Sequence, residues 1–211
     1  EPVPAELTPE EGKHIVGVQA NLWTEYIPTF SQVQYMELPR MAALSEVQWA
    51  DAPKDYRAFA ARVPQLIEQY KANGYNYARH IFDVEGTLTP AEGDHAITLE
   101  LATADSAPIY YTLDGAEPTD AATLYEGPVA LHDNAVIKAV AVRTSGNSRV
   151  FVDSVSFNKA TSQPVTLVNA PNKRYEAKGG QTLVDGKFGT SGYGNGDWVG
   201  FNGDDMVAVI D

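Results

Sequence analysis

Residues 17–25 read Gly17-Val18-Gln19-Ala20-Asn21-Leu22-Trp23-Thr24-Glu25, and this stretch decides the predicted fold. It predicts an apolar strand over residues 14–21 that ends in a large indole, with a carboxylate two positions later. In a parallel α/β barrel, residues just past the C-terminal end of a strand face the active site. There Trp23 offers a flat apolar surface and Glu25 two hydrogen-bond acceptors, which suits a sugar ring. The alternative is a buried Trp23 beside an exposed Glu25 at a helix start.

A second motif follows at residues 39–49, Pro39-Arg40-Met41-Ala42-Ala43-Leu44-Ser45-Glu46-Val47-Gln48-Trp49. Together, in this order, the two motifs closely resemble the end of the catalytic barrel in glycoside hydrolase family 20, the β-N-acetylhexosaminidases. The resemblance covers about the first eighty residues. It implies that Trp23 lines the pocket for the terminal sugar and that Glu25 accepts hydrogen bonds from the sugar's 4- and 6-hydroxyls. Arg40 and Glu46 also match, and we expect them to organise helix packing; Trp49 reads as core.

Three zones differ in their hydrophobic period. Residues 1–83 are predicted to be helical after the opening strand, with Ser31 as a helix N-cap, a restart at Pro39, and a further helix from Pro53 to Asn73 closed by Gly74. In the first of these helices Val33 and Met36 are expected to face inward.

Residues 84–160 change to period-two alternation, as in Ile97, Leu99 and Leu101 and again over residues 135–143, with a turn at Asp114-Gly115. The apolar parity slips between Val152 and Val155, which predicts a bulge near Asp153. Short strands separated by turns indicate an antiparallel sandwich. The segment 109–119 resembles the small C-terminal β-domain that follows the barrel in many bacterial members of family 20.

Residues 161–211 resemble the opening strands of a discoidin-type (galactose-binding-like) jelly roll. The predicted fold is therefore a multidomain α+β fragment: the last strand and helices of a (β/α)8 barrel, a small immunoglobulin- or fibronectin-like antiparallel β-sandwich, and a partial β jelly roll. The remainder of the barrel is expected upstream, with a separate chain as a further option.

The composition of the chain limits the classes of molecule that it can bind. The chain has 211 residues, no cysteine and a formal net charge of −13, which disfavours nucleic acid and anionic membrane surfaces because both need a basic face. No apolar run reaches the length of a membrane span. The resemblance implies a periplasmic, cell-surface or secreted bacterial protein that acts on N-acetylhexosamine-terminated glycans.

The resemblance also implies the chemistry, which is the substrate-assisted exception to the two-carboxylate scheme. An adjacent Asp-Glu pair serves that reaction, and the chain contains no Asp-Glu dipeptide. We therefore expect no catalytic residue and no catalytic cofactor in this chain, and no hydrolysis by it alone. The rival interpretation is a non-catalytic carbohydrate-binding or cell-surface module.

Weaker candidates for ligand-binding residues lie in residues 161–211. Asp185 and Asp204 carry oxygen ligands suited to a structural calcium ion, although turn chemistry explains Asp and Gly there equally well. Trp198, Tyr193 and Phe201 form a candidate glycan platform, with core packing as the favoured alternative.

Overall fold

The computed structural model describes residues 4, 6–50, 54–144, 146–192 and 194–211. The chain divides into two compact units, one up to Phe82 and one from Asp83 onward. The first is helical and the second is built from antiparallel sheets, so the described fold is mixed α and β. The predicted boundary between residues 160 and 161 falls inside the second unit.

The described residues of the first unit form four α-helices, α1 (Pro9–Gly12), α2 (Phe30–Glu37), α3 (Arg40–Trp49) and α4 (Tyr56–Ala72), followed by a 3₁₀ turn at His80–Phe82. The predicted restart at Pro39 is confirmed, because α2 ends at Glu37 and α3 begins at Arg40. The core of this unit is small. Val63 and Ile67 on the inner face of α4 pack with Tyr77, and half-buried Leu38 and Phe59 surround them.

Three sequence predictions for this unit are corrected. The strand predicted over residues 14–21 is wrong, since residues 15–24 form no strand in the described chain. A strand needs a neighbouring strand to pair with. Gln48 Nε2 instead donates to Val18 O at 2.7 Å. Thr29, not Ser31, caps α2, since its hydroxyl accepts from Gln32 N at 3.2 Å. Met36 is exposed rather than turned inward, whereas Val33 is half-buried.

Helix α4 begins later than predicted and ends as predicted. Asp55 Oδ1 accepts from Arg57 N at 2.9 Å and from Ala58 N at 3.1 Å, so the helix starts at Tyr56; Pro53 lies outside the described residues. At the other end Gly74 adopts φ +68°, and Tyr75 N donates to Tyr70 O at 2.9 Å. This is the left-handed glycine cap that closes many helices.

Two antiparallel sheets dominate the second unit. The first has the order β1 (Glu85–Ala91), β2 (Ala96–Ala102), β5 (Val129–Leu131). The second has the order β4 (Thr123–Leu124), β3 (Ile109–Thr112), β6 (Ala135–Ala141), β7 (Phe151–Val155). We call them the sheet pair, because one apolar core takes residues from both.

The predicted alternation is confirmed in the core of the sheet pair. Ile97, Leu99 and Leu101 of β2 are buried, and so are the odd-numbered residues 135–141 of β6. Period-two burial is what a strand with one covered face requires. At the predicted turn, Gly115 has φ +79°.

The predicted bulge near Asp153 is wrong. Strand β7 pairs with β6 in unbroken register from Ala135–Val155 to Ala139–Phe151. Asp153 occupies an inward-parity position, and it is satisfied there by Lys187 Nζ at 2.8 Å. The polar residue is therefore accommodated by an ion pair, and no extra residue is inserted.

The chain after β7 forms a short antiparallel pair, β8 (Val165–Leu167) with β9 (Ala208–Ile210). Between them lie two 3₁₀ turns, Lys173–Tyr175 and Gly179–Leu183. Thr161, Ser162, Val184 and Asp185 of this stretch are buried, so part of it packs within the second unit.

Candidate functional site

The loop that carries Trp23 and Glu25 is organised by a tight turn. Ile27 N donates to Thr24 O at 3.0 Å, which places Glu25 and Tyr26 at the two central positions of a four-residue turn. Trp23 is 75% exposed and Tyr26 is 92% exposed. The alternative of a buried Trp23 therefore does not describe this chain, and the loop presents its indole to solvent.

Glu25 is exposed, and it makes no hydrogen bond or ion pair with any residue that the structure describes. Both of its carboxylate oxygens can therefore accept hydrogen bonds from a ligand. A carboxylate held in a structural salt bridge would lack this capacity.

A cleft of about 430 Å³ adjoins this loop. Ala20, Asn21 and Leu22 form one side, and the other side is lined by residues of α2 and α3: Met36, Glu37, Arg40, Met41 and Leu44. Trp23 and Glu25 are not among the lining residues. Residues 20–22 of the motif thus share a cleft with α2 and α3, and Trp23 and Glu25 do not line that cleft.

Arg40 and Glu46 make the packing contacts expected of them. Arg40 Nη1 donates to Met36 O at 2.6 Å, which satisfies a carbonyl in the last turn of α2, and its Nη2 lies 3.3 Å from His80 Nε2. Glu46 of α3 forms an ion pair with Arg62 of α4. These two side chains therefore hold helices together.

Trp49 differs from its prediction. The side chain was expected in the core, yet it is 86% exposed. It is the last residue of α3, which buries no residue in the described structure, so helix position alone does not bring the indole into a core.

Sequence reasoning passed over Tyr26, the most exposed aromatic side chain of the described residues. Its position next to Glu25 was the available signal. The turn places a phenol beside the carboxylate, which adds a second aromatic surface to the loop.

Asp185 is the more enclosed of the two calcium candidates. Its Oδ1 accepts from Lys187 N at 3.0 Å, and burial raises the pKa of its carboxyl above the ordinary value. Asp204 is exposed. Within the described ranges, no three His, Cys, Asp or Glu side chains come together as a possible metal site. The calcium site stays a prediction.

The candidate glycan platform is described only in part, because Tyr193 lies outside the described residues. Trp198 is 47% exposed, and its Nε1 donates to Thr190 O at 2.8 Å. The backbone of Gly189 lies so close that a Cβ there would stand 2.6 Å from Trp198 Cζ2. Phe201 is half-buried. The Trp198 indole is thus held by Thr190 and Gly189, and about half of it is exposed to solvent.

None of the helices in the described part of the chain is long and apolar enough to cross a membrane.

Comparison with known proteins relates two segments to defined families. Residues 1–52 match the glycosyl hydrolase family 20 catalytic domain, and residues 97–155 match the family described as Fn3 associated. The first match contains the Trp23 loop and α2–α3. The second spans most of the sheet pair, from β2 to β7.

Three similar proteins, all hexosaminidases by name, agree with the family 20 match. A β-hexosaminidase of Porphyromonas gingivalis (strain ATCC BAA-308 / W83) is 28% identical over 201 residues, covering 90% of this chain and 26% of the relative. A β-N-acetylhexosaminidase of Cellulomonas fimi is 40% identical over 64 residues, covering 30% of this chain and 13% of the relative. A β-hexosaminidase of Vibrio vulnificus is 36% identical over 80 residues, 38% of this chain and 8% of the relative.

The chain spans about a quarter of the length of the Porphyromonas relative and less of the other two. Its first 52 residues are similar to the family 20 catalytic domain, and its relatives bear hexosaminidase names.

Proposed function

We propose that this chain is the C-terminal part of a retaining exo-β-N-acetylhexosaminidase that removes terminal N-acetylglucosamine or N-acetylgalactosamine from glycans. The observation that carries this proposal is the Trp23–Glu25 loop. It exposes an indole and an unpaired carboxylate within the segment that matches the family 20 catalytic domain. This segment supplies the sugar-binding wall of the active site.

In the proposed site the Trp23 indole stacks on the C–H face of the terminal sugar. Glu25 accepts hydrogen bonds from the 4- and 6-hydroxyls and thereby fixes the position of the anomeric carbon. The substrate's acetamide oxygen attacks that carbon and the glycosidic bond breaks as the leaving oxygen takes a proton from a glutamic acid. That acid and its partner aspartate are proposed upstream of this chain, so the chain alone does not hydrolyse substrate.

The proposed architecture assigns residues 1–83 to the end of a (β/α)8 barrel, residues 84–160 to an immunoglobulin- or fibronectin-like sandwich, and residues 161–211 to the start of a discoidin-like jelly roll. The two family matches and the sheet pair support the first two assignments. The barrel's remaining part, upstream or on a separate chain, is the proposed partner of the first unit.

The proposed location is the periplasm, the cell surface or the exterior of a bacterial cell, which suits an enzyme that acts on polymeric glycans. Catalysis by the substrate's own acetamide requires no cofactor. A structural calcium ion at Asp185 and Asp204 is proposed on the chemistry of their oxygen ligands alone.

Kinetics of the intact protein test the role of Glu25. A hydrogen bond to a charged group contributes about 1.5–3 kcal/mol, so Glu25→Gln should lower kcat/KM on an aryl N-acetylglucosaminide about ten- to a hundredfold. Glu68→Gln is the matched control, because Glu68 is an exposed carboxylate on α4 paired with Lys71. Wild-type kinetics in Glu25→Gln would show that Glu25 does not bind the substrate.

The same assay separates the enzyme from the rival binding module. Trp23→Ala should reduce kcat/KM more than Glu25→Gln does, because it removes the stacking surface. Trp49→Ala is the control, because it removes another exposed indole that lies outside the loop. Equal losses in the two tryptophan variants would show that Trp23 has no specific role in the site. An intact protein without hydrolytic activity would favour a non-catalytic carbohydrate-binding module.

A further inference from the structure

Two buried polar residues follow the last strand of the sheet pair. Thr161 is fully buried and Ser162 is 1% exposed, although both lie in a segment without regular structure. Polar residues are buried at low cost only where their groups are hydrogen-bonded. Their partners therefore identify what this segment packs against.

Those partners belong to the turn between β1 and β2 and to Ala96, the first residue of β2. Ser162 Oγ donates to Ala96 O, and Gly93 N donates to Ser162 O at 3.0 Å. His95 Nδ1 lies 3.0 Å from Thr161 O. The segment thus completes the hydrogen bonding of one end of the sheet pair.

A second stretch, residues 184–187, closes over the same end. Ser162 N donates to Val184 O at 2.9 Å, and Ser156 N donates to Gly186 O at 2.8 Å. The backbone of Gly186, at φ +70°, lies against Ile97, a fully buried core residue of β2. We call residues 156–162 and 184–187 the clasp.

An ion pair joins the clasp to β7. Lys187 Nζ lies 2.8 Å from Asp153 Oδ2, and both side chains are less than one-third exposed. The clasp therefore contacts both sheets: β2 through Ile97 and Ala96, and β7 through Asp153.

We propose that the clasp makes the sheet pair and the residues up to Lys187 one cooperatively unfolding body, with no hinge between residues 160 and 161. Opening the clasp exposes Ile97 and removes the partners of Gly93 N, Ala96 O and Ser156 N, so it also loosens β2. The end of the sheet pair is thus an interaction surface whose partner is the later part of this chain, held in one orientation. This inference is independent of the proposed hydrolase activity.

Hydrogen exchange on the full 211-residue chain tests the proposal. In Gly186→Ala a Cβ would stand 2.6 Å from Ile97 Cδ1 at a positive φ. We expect amides of β2, of β7 and of residues 179–187 to lose protection together, by about tenfold or more. Gly203→Ala is the matched control, because Gly203 has φ +89° and nothing within 4 Å of its added Cβ; we expect no loss in β2 or β7.

The proposal is overturned if Gly186→Ala accelerates exchange in residues 179–187 while β2 and β7 keep wild-type protection. It is also overturned if Gly203→Ala produces the same losses, since the effect would then not arise in the clasp. Should Gly186→Ala fail to fold, Lys187→Met provides the same comparison, because it removes the ion pair without adding a clash. A smaller loss shared by β2, β7 and residues 179–187 supports the clasp, and a loss confined to residues 179–187 contradicts it.

Discussion

At the scale of single residues, Asp105 and Arg143 form the most enclosed ion pair of the described residues. Arg143 Nε donates to Asp105 Oδ2 at 2.7 Å, and Nη2 donates to Oδ1 at 2.6 Å. The pair ties the loop after β2 to the chain just after β6. Hydrogen bonding from Arg143 holds the pKa of Asp105 below its ordinary value.

We predict that Asp105→Asn lowers the free energy of unfolding at pH 7 by about 2–4 kcal/mol, because it leaves an enclosed guanidinium without its counter-charge. The folded pKa of Asp105 is depressed, so its contribution is present above the unfolded value, about 3.9, and is lost as pH falls through the folded value. Urea unfolding at pH 7 and at lower pH measures this, and the gap between wild type and variant should narrow on acidification.

Asp120→Asn is the control, because Asp120 is exposed. A pH-independent difference between wild type and Asp105→Asn would show that the ionised carboxylate is not the source of the stability.

The candidate site residues show what one sequence can and cannot determine. Trp23 and Glu25 are singled out because an indole and a carboxylate two positions apart suit a sugar, and because the two motifs around them resemble the end of the family 20 barrel. Their role stays a prediction. Tyr26 adjoins Glu25 in the sequence, but this position alone does not distinguish an exposed phenol from a buried one before the turn at residues 24–27 is known.

At the scale of elements, the spacing of apolar residues along the sequence predicts which side chains of a strand or helix are buried. Strands β2 and β6 bury alternate residues, and α4 buries Val63 and Ile67 at helical spacing. The failures depend on distant partners. A strand at residues 14–21 requires a neighbouring strand, and the cap of α2 depends on which hydroxyl reaches a free amide. The charge of Asp153 in β7 is paired with Lys187, 34 positions away, which the local pattern does not reveal.

The contact between β1 and β7 provides an element-scale prediction. A Cβ at Gly86 would lie 2.7 Å from Phe151 Cε1 and 2.9 Å from Cε2, so the phenyl ring occupies the space that a side chain would need. Gly86→Ala should destabilise the second unit by about 1–3 kcal/mol, as overpacking does, when measured by thermal or urea unfolding.

The double variant Gly86→Ala with Phe151→Leu should recover part of that loss, giving a favourable coupling energy. Gly127→Ala serves as a control, because nothing lies within 4 Å of its added Cβ. Additive effects of Gly86→Ala and Phe151→Leu would show that the loss of stability in Gly86→Ala does not arise from contact with the Phe151 ring.

At the scale of the whole molecule, the two units differ in how much apolar surface they enclose. The buried cluster of the first unit comprises Val63, Ile67 and Tyr77, whereas that of the sheet pair comprises twelve residues. Helices α2 and α3 bury no residue among those described. Local stability follows buried apolar contact, so the units should open separately.

Hydrogen exchange of the 211-residue chain is expected to show this difference. Amides of α2 and α3 should exchange at least about tenfold faster than those of β2 and β6, because their opening exposes little apolar surface. Equal protection in the two units would mean that they unfold as one. The longer polypeptide proposed above is the informative comparison, since any surface that covers α2 and α3 there should slow their exchange.

The exposure of the indoles has a practical consequence for spectroscopy. All three tryptophans of the chain reach solvent: Trp23 is 75% exposed, Trp49 is 86% exposed and Trp198 is 47% exposed. The emission of Trp23 and Trp49 therefore reports poorly on whether the core is intact, since unfolding changes the surroundings of these two indoles little. It responds instead to whatever covers a ring, so quenching by a small neutral solute is a direct readout of occupancy at each aromatic surface.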